Sequence, residues 1–277
     1  MSKIEEALRR ARSSRAQGEE PPHDVVEARP PSDAQSRELV GLSAAEEIAH
    51  MREIERRPPV ELMRRRIIHP EMQDARVNDA FRHLRTALLQ KTAGKNFVLA
   101  VTSAAADGGA SFVSLNLAAS FAFDDSKTAL LVDGNLRQPH FTDLLLDPEH
   151  DAGLTDYLSG AEREAENIIH PIGIPRLRLI PVGTQHRNSM EYFTTLQLER
   201  LLAELRHRYR ERFVIIDTPP IMEAADARIL AQLCDYALLV VPYGRVTGAQ
   251  LSAAADTVGQ EKLIGCVMNN QIRSPFE

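Results

Sequence analysis

From Asn96 onward the sequence predicts an α/β domain built on a doubly wound, mostly parallel sheet, on the strength of three observations. Short runs that are apolar on both faces recur at Phe97–Thr102, Thr128–Val132, Leu177–Pro181, Phe213–Ile216, Tyr236–Val241 and Leu263–Met268. Such runs fit parallel strands covered by helices on either side. Helical patterns fall between them, at about 110–123, 154–159, 194–211, 224–232 and 247–258. Glycine-rich or acidic turns follow three of the strands, at the end of the sheet where ligands of this architecture bind.

The first 95 residues differ in kind. They are polar and charged and carry Pro-Pro at 21/22, 30/31 and 58/59, so the reading divides the chain into an extension, 1–95, and a domain, 96–277. Within the extension, Ser2-x-x-Glu5 reads as a capping box opening a helix to about Arg15, with Ile4, Leu8 and Ala11 along one side. Residues 16–41 have few large apolar groups and several prolines, the composition of a disordered linker. Ser43-x-x-Glu46 opens a second helix that stops before Pro58, and Arg64–Pro70 is expected to be extended. A third helix, about 71–90, carries Val77, Phe81, Leu84 and Leu88 at helical spacing, with Asp79, Arg82 and Arg85 on a neighbouring face. Its apolar stripe is expected to pack on the domain that follows.

Composition narrows the function. A net charge of -6 gives no general attraction to nucleic acid, which is not expected as a partner. The two cysteines, Cys234 and Cys266, lie in apolar stretches without metal-ligand spacing and read as buried thiols. No run approaches the roughly 18 apolar residues of a membrane span, and Met1-Ser-Lys-Ile-Glu-Glu lacks a signal-peptide core, so the expected location is the cytoplasm.

The chemistry lies in the three loops. The first strand runs into Thr102-Ser-Ala-Ala-Ala-Asp-Gly-Gly-Ala-Ser111 and then a helix. A loop there points backbone N–H groups and the positive end of a helix dipole at an anion. Gly108 and Gly109 permit close backbone approach, and Ser111 stands where a phosphate-binding loop places its Mg2+-binding hydroxyl. Position 110, lysine in that motif, is alanine, and Ala104 replaces its opening glycine. The second strand leads into Asp133-Gly-Asn135-Leu-Arg137, a carboxylate able to organise a metal-bound phosphate or to take a proton. The third ends at Asp217-Thr-Pro-Pro220, an apolar run closed by an acid in the manner of a Walker B strand.

Between Asp79 and Asn270 the chain resembles the cytoplasmic kinase domain of the bacterial tyrosine kinases (BY-kinases), P-loop proteins with a MinD/ParA-like fold. These work with polysaccharide co-polymerases in capsule and exopolysaccharide export. The resemblance rests on Asp79-Ala-Phe-Arg-His-Leu-Arg-Thr86, the loop with Asn116-Leu-Ala, and Leu131-Val-Asp-Gly-Asn-Leu-Arg-Gln-Pro139. It continues through Gly153–Gly160, Leu179–Gly183 with Asn188, Ile215–Pro220 and Val267–Asn270. It implies that Gly108, Gly109, Ala110, Ser111 and Asn269 bind nucleotide. It likewise assigns Ser111, Asp133 and Asp217 to Mg2+, and Asp133 to catalysis in an active enzyme. Asp79, Arg82 and Arg85 stand where the family's ring-forming Glu-x-x-Arg-x-x-Arg helix lies, which implies a homo- or hetero-oligomer.

The departures weaken that chemistry. Removing one partner of a desolvated charge pair costs about 3–5 kcal/mol, so losing the lysine weakens any hold on ATP or ADP with Mg2+. Asn135 removes a charge from the family's Asp-x-Asp motif, Asp107 adds one to the loop, and no tyrosine cluster follows Tyr243. The favoured reading is therefore a degenerate, pseudokinase-like regulatory or assembly partner of a membrane polysaccharide co-polymerase or an active kinase paralogue, held at the inner membrane through that partner. The alternatives are a weak or unconventional protein-tyrosine kinase and a MinD/ParA-like positioning ATPase, whose additional loop lysine is Ala105 here.

Overall fold

A computed structural model describes residues 53–72, 74–146, 152–184, 189–208 and 212–270. The expected helix at 2–15, the linker at 16–41 and the Ser43-x-x-Glu46 helix start lie outside those residues, as do Asn188 and the segment after Asn270.

The elements run in the order α1 (Pro59–Arg64), α2 (Ala75–Lys91), β1 (Val98–Ser103), α3 (Ala110–Ala122), β2 (Thr128–Asp133), α4 (Phe141–Leu145) and α5 (Leu154–Ser159). They continue through β3 (His170–Pro171), β4 (Leu177–Ile180), α6 (Leu196–Arg208), β5 (Arg212–Asp217), α7 (Ala225–Leu233), β6 (Tyr236–Pro242), α8 (Gly248–Val258) and β7 (Leu263–Asn269). The strands form one sheet in the order β3-β4-β2-β5-β1-β6-β7. Every neighbouring pair is parallel except β3 with β4, so the α/β, mostly parallel class read from the sequence is the observed one.

Every residue of β1, β2 and β5 is buried, which explains why these strands read as continuous apolar runs and not as alternating ones. On one face of the sheet, α2 and α3 close a layer containing Phe81, Leu88, Leu117 and Phe121, where Phe121 stacks on Phe213 at 4.2 Å. The opposite face is covered by Leu158, Leu201 and Leu230 from α5, α6 and α7.

Several expectations are corrected. The Pro58-Pro59 pair starts a helix: Pro58 is the N-cap and Pro59 the first residue of α1. Proline at that position loses no hydrogen bond and already has the required φ. The 64–70 segment is extended only after Arg64 has closed α1 and Arg66 has turned with φ +57°. The third helix begins at Ala75, where Asp74 caps it by accepting from Arg76 N at 3.1 Å. Cys234 is buried as expected, whereas Cys266 is exposed because β7 is the edge of the sheet.

The core also reaches upstream of residue 96. Leu62, Ile67 and Ile68 are buried in the same layer as Leu88 and Phe97. Asn116 of α3, itself fully buried, holds this strap: its Oδ1 accepts from Ile68 N at 2.7 Å and its Nδ2 donates to Arg66 O at 3.1 Å. A change in composition therefore does not mark the edge of the packed core. Among the described residues, no helix is long and apolar enough to cross a membrane.

Candidate functional site

The site is assembled by strand order. β5 lies between β1 and β2, so the loop after β1, Asp133 at the end of β2 and Asp217 at the end of β5 share one edge of the sheet. Asp133 and Asp217 are direct register partners, and Asp217 is also opposite Val101 of β1.

The loop itself is sharply turned. Gly109 is the N-cap of α3 with φ +85°, and a side chain at that position would run into the Asn269 amide. Gly108 would press a Cβ to 2.7 Å from Ser103 Cβ. Asn269, at the end of edge strand β7, donates from Nδ2 to Gly108 O at 3.0 Å. Ala110 begins α3 and is buried.

From the first turn of α3, Ser111 Oγ donates to Asp217 Oδ2 at 2.6 Å. Ser114, one turn on, lies 2.9 Å from both Asp217 Oδ1 and Ala110 O. A serine hydroxyl has one hydrogen for these two acceptors, so a proton on Asp217 satisfies both contacts. Electrostatics agree with this geometry. Burial foremost, then the charge of Asp133, pushes the Asp217 carboxyl up to about 8 against the pull of the two serines. Burial pushes Asp133 up to about 6, although the backbone N–H groups of His140, Phe141 and Asn135 donate to its carboxylate.

The structure thus brings together Gly108, Gly109, Ala110, Ser111, Asp133, Asp217 and Asn269. It does not bring in Asp79, Arg82 or Arg85, which lie on α2. Asp79 and Arg82 pair at 3.1 Å on the surface, and Arg85 turns inward to donate to Ser120 O. Asn135 accepts from Gln138 N at 3.2 Å, so its side chain closes its own turn. Arg137, the cation after Asp133, pairs with Asp226 at 3.4 Å.

Three contributors were missed in the sequence. Ser114 had a signal, being three residues after Ser111 and so on the same helical face. Glu223 Oε1, which accepts from Ala106 N at 3.1 Å, and Arg245, which donates to Asp107 O and Ala106 O at 3.3 Å each, had none, because they come from distant loops. Among the described residues, no group of three His, Cys, Asp or Glu side chains could hold a metal ion, so a cation here would need further oxygen ligands.

No protein-family model matches the chain. It is 28% identical over 210 residues to "Tyrosine-protein kinase CpsD" of Streptococcus agalactiae serotype III (strain NEM316), covering 75% of this chain and 89% of that protein. It is 31% identical over 201 residues to "Tyrosine-protein kinase etk" of Escherichia coli (strain K12), covering 70% of this chain but only 27% of that longer one. The solved kinase domain of the Escherichia coli tyrosine kinase ETK superposes with a TM-score of 0.66 at 27% identity, covering 79% of this chain and 82% of that one. The cell-division ATPase MinD of Pyrococcus furiosus shares the fold, with a TM-score of 0.55 at 21% identity over 64% of this chain and 73% of that one. By sequence and by fold, the α/β domain of this chain is similar to the kinase domains of the CpsD/Etk-like bacterial tyrosine kinases.

Proposed function

We propose that this chain is a tyrosine-kinase-like regulatory or assembly protein of exopolysaccharide export in which phosphoryl transfer is impaired. The observation that carries this reading is Ala110: a methyl group, buried at the first position of α3, stands where the motif requires a lysine. The rest of the loop is turned as phosphate binding needs, with Gly109 at φ +85° and the N-terminus of α3 behind it.

The residues present fit a magnesium-bound nucleotide in part. Ser111 and Asp217 are hard oxygen donors already in contact, and Asp133 is their neighbour across the strand pair. A bound Mg2+ would supply the positive charge that two buried carboxylates otherwise lack. Asp133, at the end of β2 beside that site, would be the group to accept a proton from a substrate hydroxyl. What is missing is the loop lysine that neutralises charge on the transferring phosphate, which is a loss felt in the rate as well as in binding.

Under this reading the protein acts by contact. The partner is a membrane polysaccharide co-polymerase or an active kinase paralogue, and the charged face of α2, with the exposed Arg82 beside Asp79, is the surface that meets it or a second copy. The test compares phosphotyrosine formation on an added tyrosine peptide by the parent and by Ala110→Lys. Restoration by lysine supports impairment, whereas a parent rate within about tenfold of the variant, under 1.4 kcal/mol in barrier, favours the alternative of a working but unconventional kinase.

A further inference from the structure

We propose that Arg245 is the nucleotide-facing cation of this site, an arginine delivered from the loop after β6 in place of the lysine absent at position 110. This inference rests on the reading of the loop as a nucleotide-phosphate site and adds to it the residue that compensates within the same chain.

Arg245 is exposed and lies in the turn that follows β6, just after Gly244 at φ +69°. Its Nη1 donates to Asp107 O and its Nη2 to Ala106 O, each at 3.3 Å. The guanidinium therefore spans two consecutive carbonyls of the loop immediately before Gly108 and Gly109. β6 is hydrogen-bonded to β1, so the two loops that leave these strands emerge side by side. That adjacency makes Arg245 available to the site without a second subunit.

A second charged side chain on this stretch has the opposite sign. Glu223 Oε1 accepts from Ala106 N at 3.1 Å, which occupies an amide with a carboxylate of the protein. A carboxylate on the amide and a guanidinium on the carbonyls hold the loop from two sides. An incoming phosphate would repel the first and attract the second. Guanidinium suits this place because its fork can keep one loop carbonyl while offering its remaining N–H groups to a phosphate oxygen. Arg137, the other cation near the acids, is tied to Asp226. At 3.3 Å the Arg245 bonds are long for N–H···O contacts, so little is lost in redirecting one of them.

The experiment is titration of the full-length chain with MgADP by calorimetry, for the parent, Arg245→Ala, Arg245→Lys, Ala110→Lys and the double variant Ala110→Lys/Arg245→Ala, with Asp217→Ala as a site control. The expected result is a loss of about tenfold or more in affinity for Arg245→Ala, a smaller loss for Arg245→Lys, and a loss under about threefold once Ala110→Lys is present, since the lysine then carries the charge. An Arg245→Ala protein that binds MgADP like the parent, while Ala110→Lys binds more tightly, overturns the proposal and leaves Arg245 a loop clamp. A parent that binds no MgADP while Ala110→Lys does also overturns it, yet leaves the impaired-kinase reading standing. Parent binding that Asp217→Ala leaves unchanged would instead sink the assignment of the site itself.

Discussion

Asp133 and Asp217 face each other as register partners on neighbouring parallel strands, both fully buried, with no cation side chain bonded to either carboxylate among the described residues. Two carboxyls so placed cannot both ionise without cost, and the protein meets that cost by holding protons at pH values where free aspartate has none.

The pH dependence of stability follows. Because both pKa values are raised in the folded state, to about 6 and about 8, the native protein binds more protons than the unfolded chain between roughly pH 4 and 8. The contribution of these groups to stability is present below about pH 4 and is lost as pH rises through 6 and then 8. Asp217→Asn should flatten the upper part of this slope and raise Tm at pH 8 by about 2–6 °C. Thermal unfolding across the range, with and without the substitution, checks it. A slope that is identical in both proteins would remove Asp217 from the account.

Metal binding should run the other way. Carboxylate ligands must shed their protons, so the affinity for MgADP should rise between pH 6 and 8.5 and binding should release protons. Calorimetry in two buffers of different ionisation enthalpy measures the number released, and the absence of any release would count against Asp217 as a ligand.

Restoring the lysine is the most direct repair. Ala110→Lys should tighten MgADP binding roughly 10²-fold or more, because a charge of the right sign returns to a desolvated site. Gly109→Ala should act in reverse: a left-handed residue gains a side chain facing the Asn269 amide, at a cost of about 1–3 kcal/mol in stability. Denaturant unfolding of the two variants separates a binding defect from a folding one.

The strap at 66–68 should depend on Asn116. Asn116→Ala orphans the Ile68 N–H and the Arg66 carbonyl, one of them deeply buried, and is expected to cost about 2–4 kcal/mol. Amide exchange at Ile67 and Ile68 should accelerate before that of β1. Uniform loosening of the whole domain would mean that the strap has no stability of its own to lose.

The two arginines of α2 should part company. Arg82 is exposed and, among the described residues, pairs with Asp79, so Arg82→Ala should leave stability within about 0.5 kcal/mol of the parent and act on assembly. Arg85 reaches Ser120 O, so Arg85→Ala should also lower stability, by about 1–2 kcal/mol. Solution mass of the parent and of the Arg82→Ala/Arg85→Ala variant tests the interface: an unchanged mass would take α2 out of it.

How much was legible in the chain can be judged from particular residues. β1, β2 and β5 were readable because a strand buried on both faces must be apolar throughout, and Asp133 and Asp217 stood out because each breaks such a run at its end. Gly108, Gly109 and Ser111 were readable because their order encodes a turn into a helix, and Ala110 because the same order leaves one position for a charge. Pro58-Pro59 misled because proline can stop a helix or start one, and the local sequence does not say which. Cys266 misled because an edge strand and an inner strand can share a composition.

The sequence by itself determined which strands are buried, where the acids stand and which charge is absent, since hydrophobic periodicity and turn chemistry are local properties. Only the tertiary structure decided that β5 lies between β1 and β2, setting Asp217 against Asp133, that Asn116 ties an upstream strap into the core, and that Arg245 and Glu223 reach the loop. These relationships join residues far apart in the chain, and their geometry exists only once the sheet has ordered its strands.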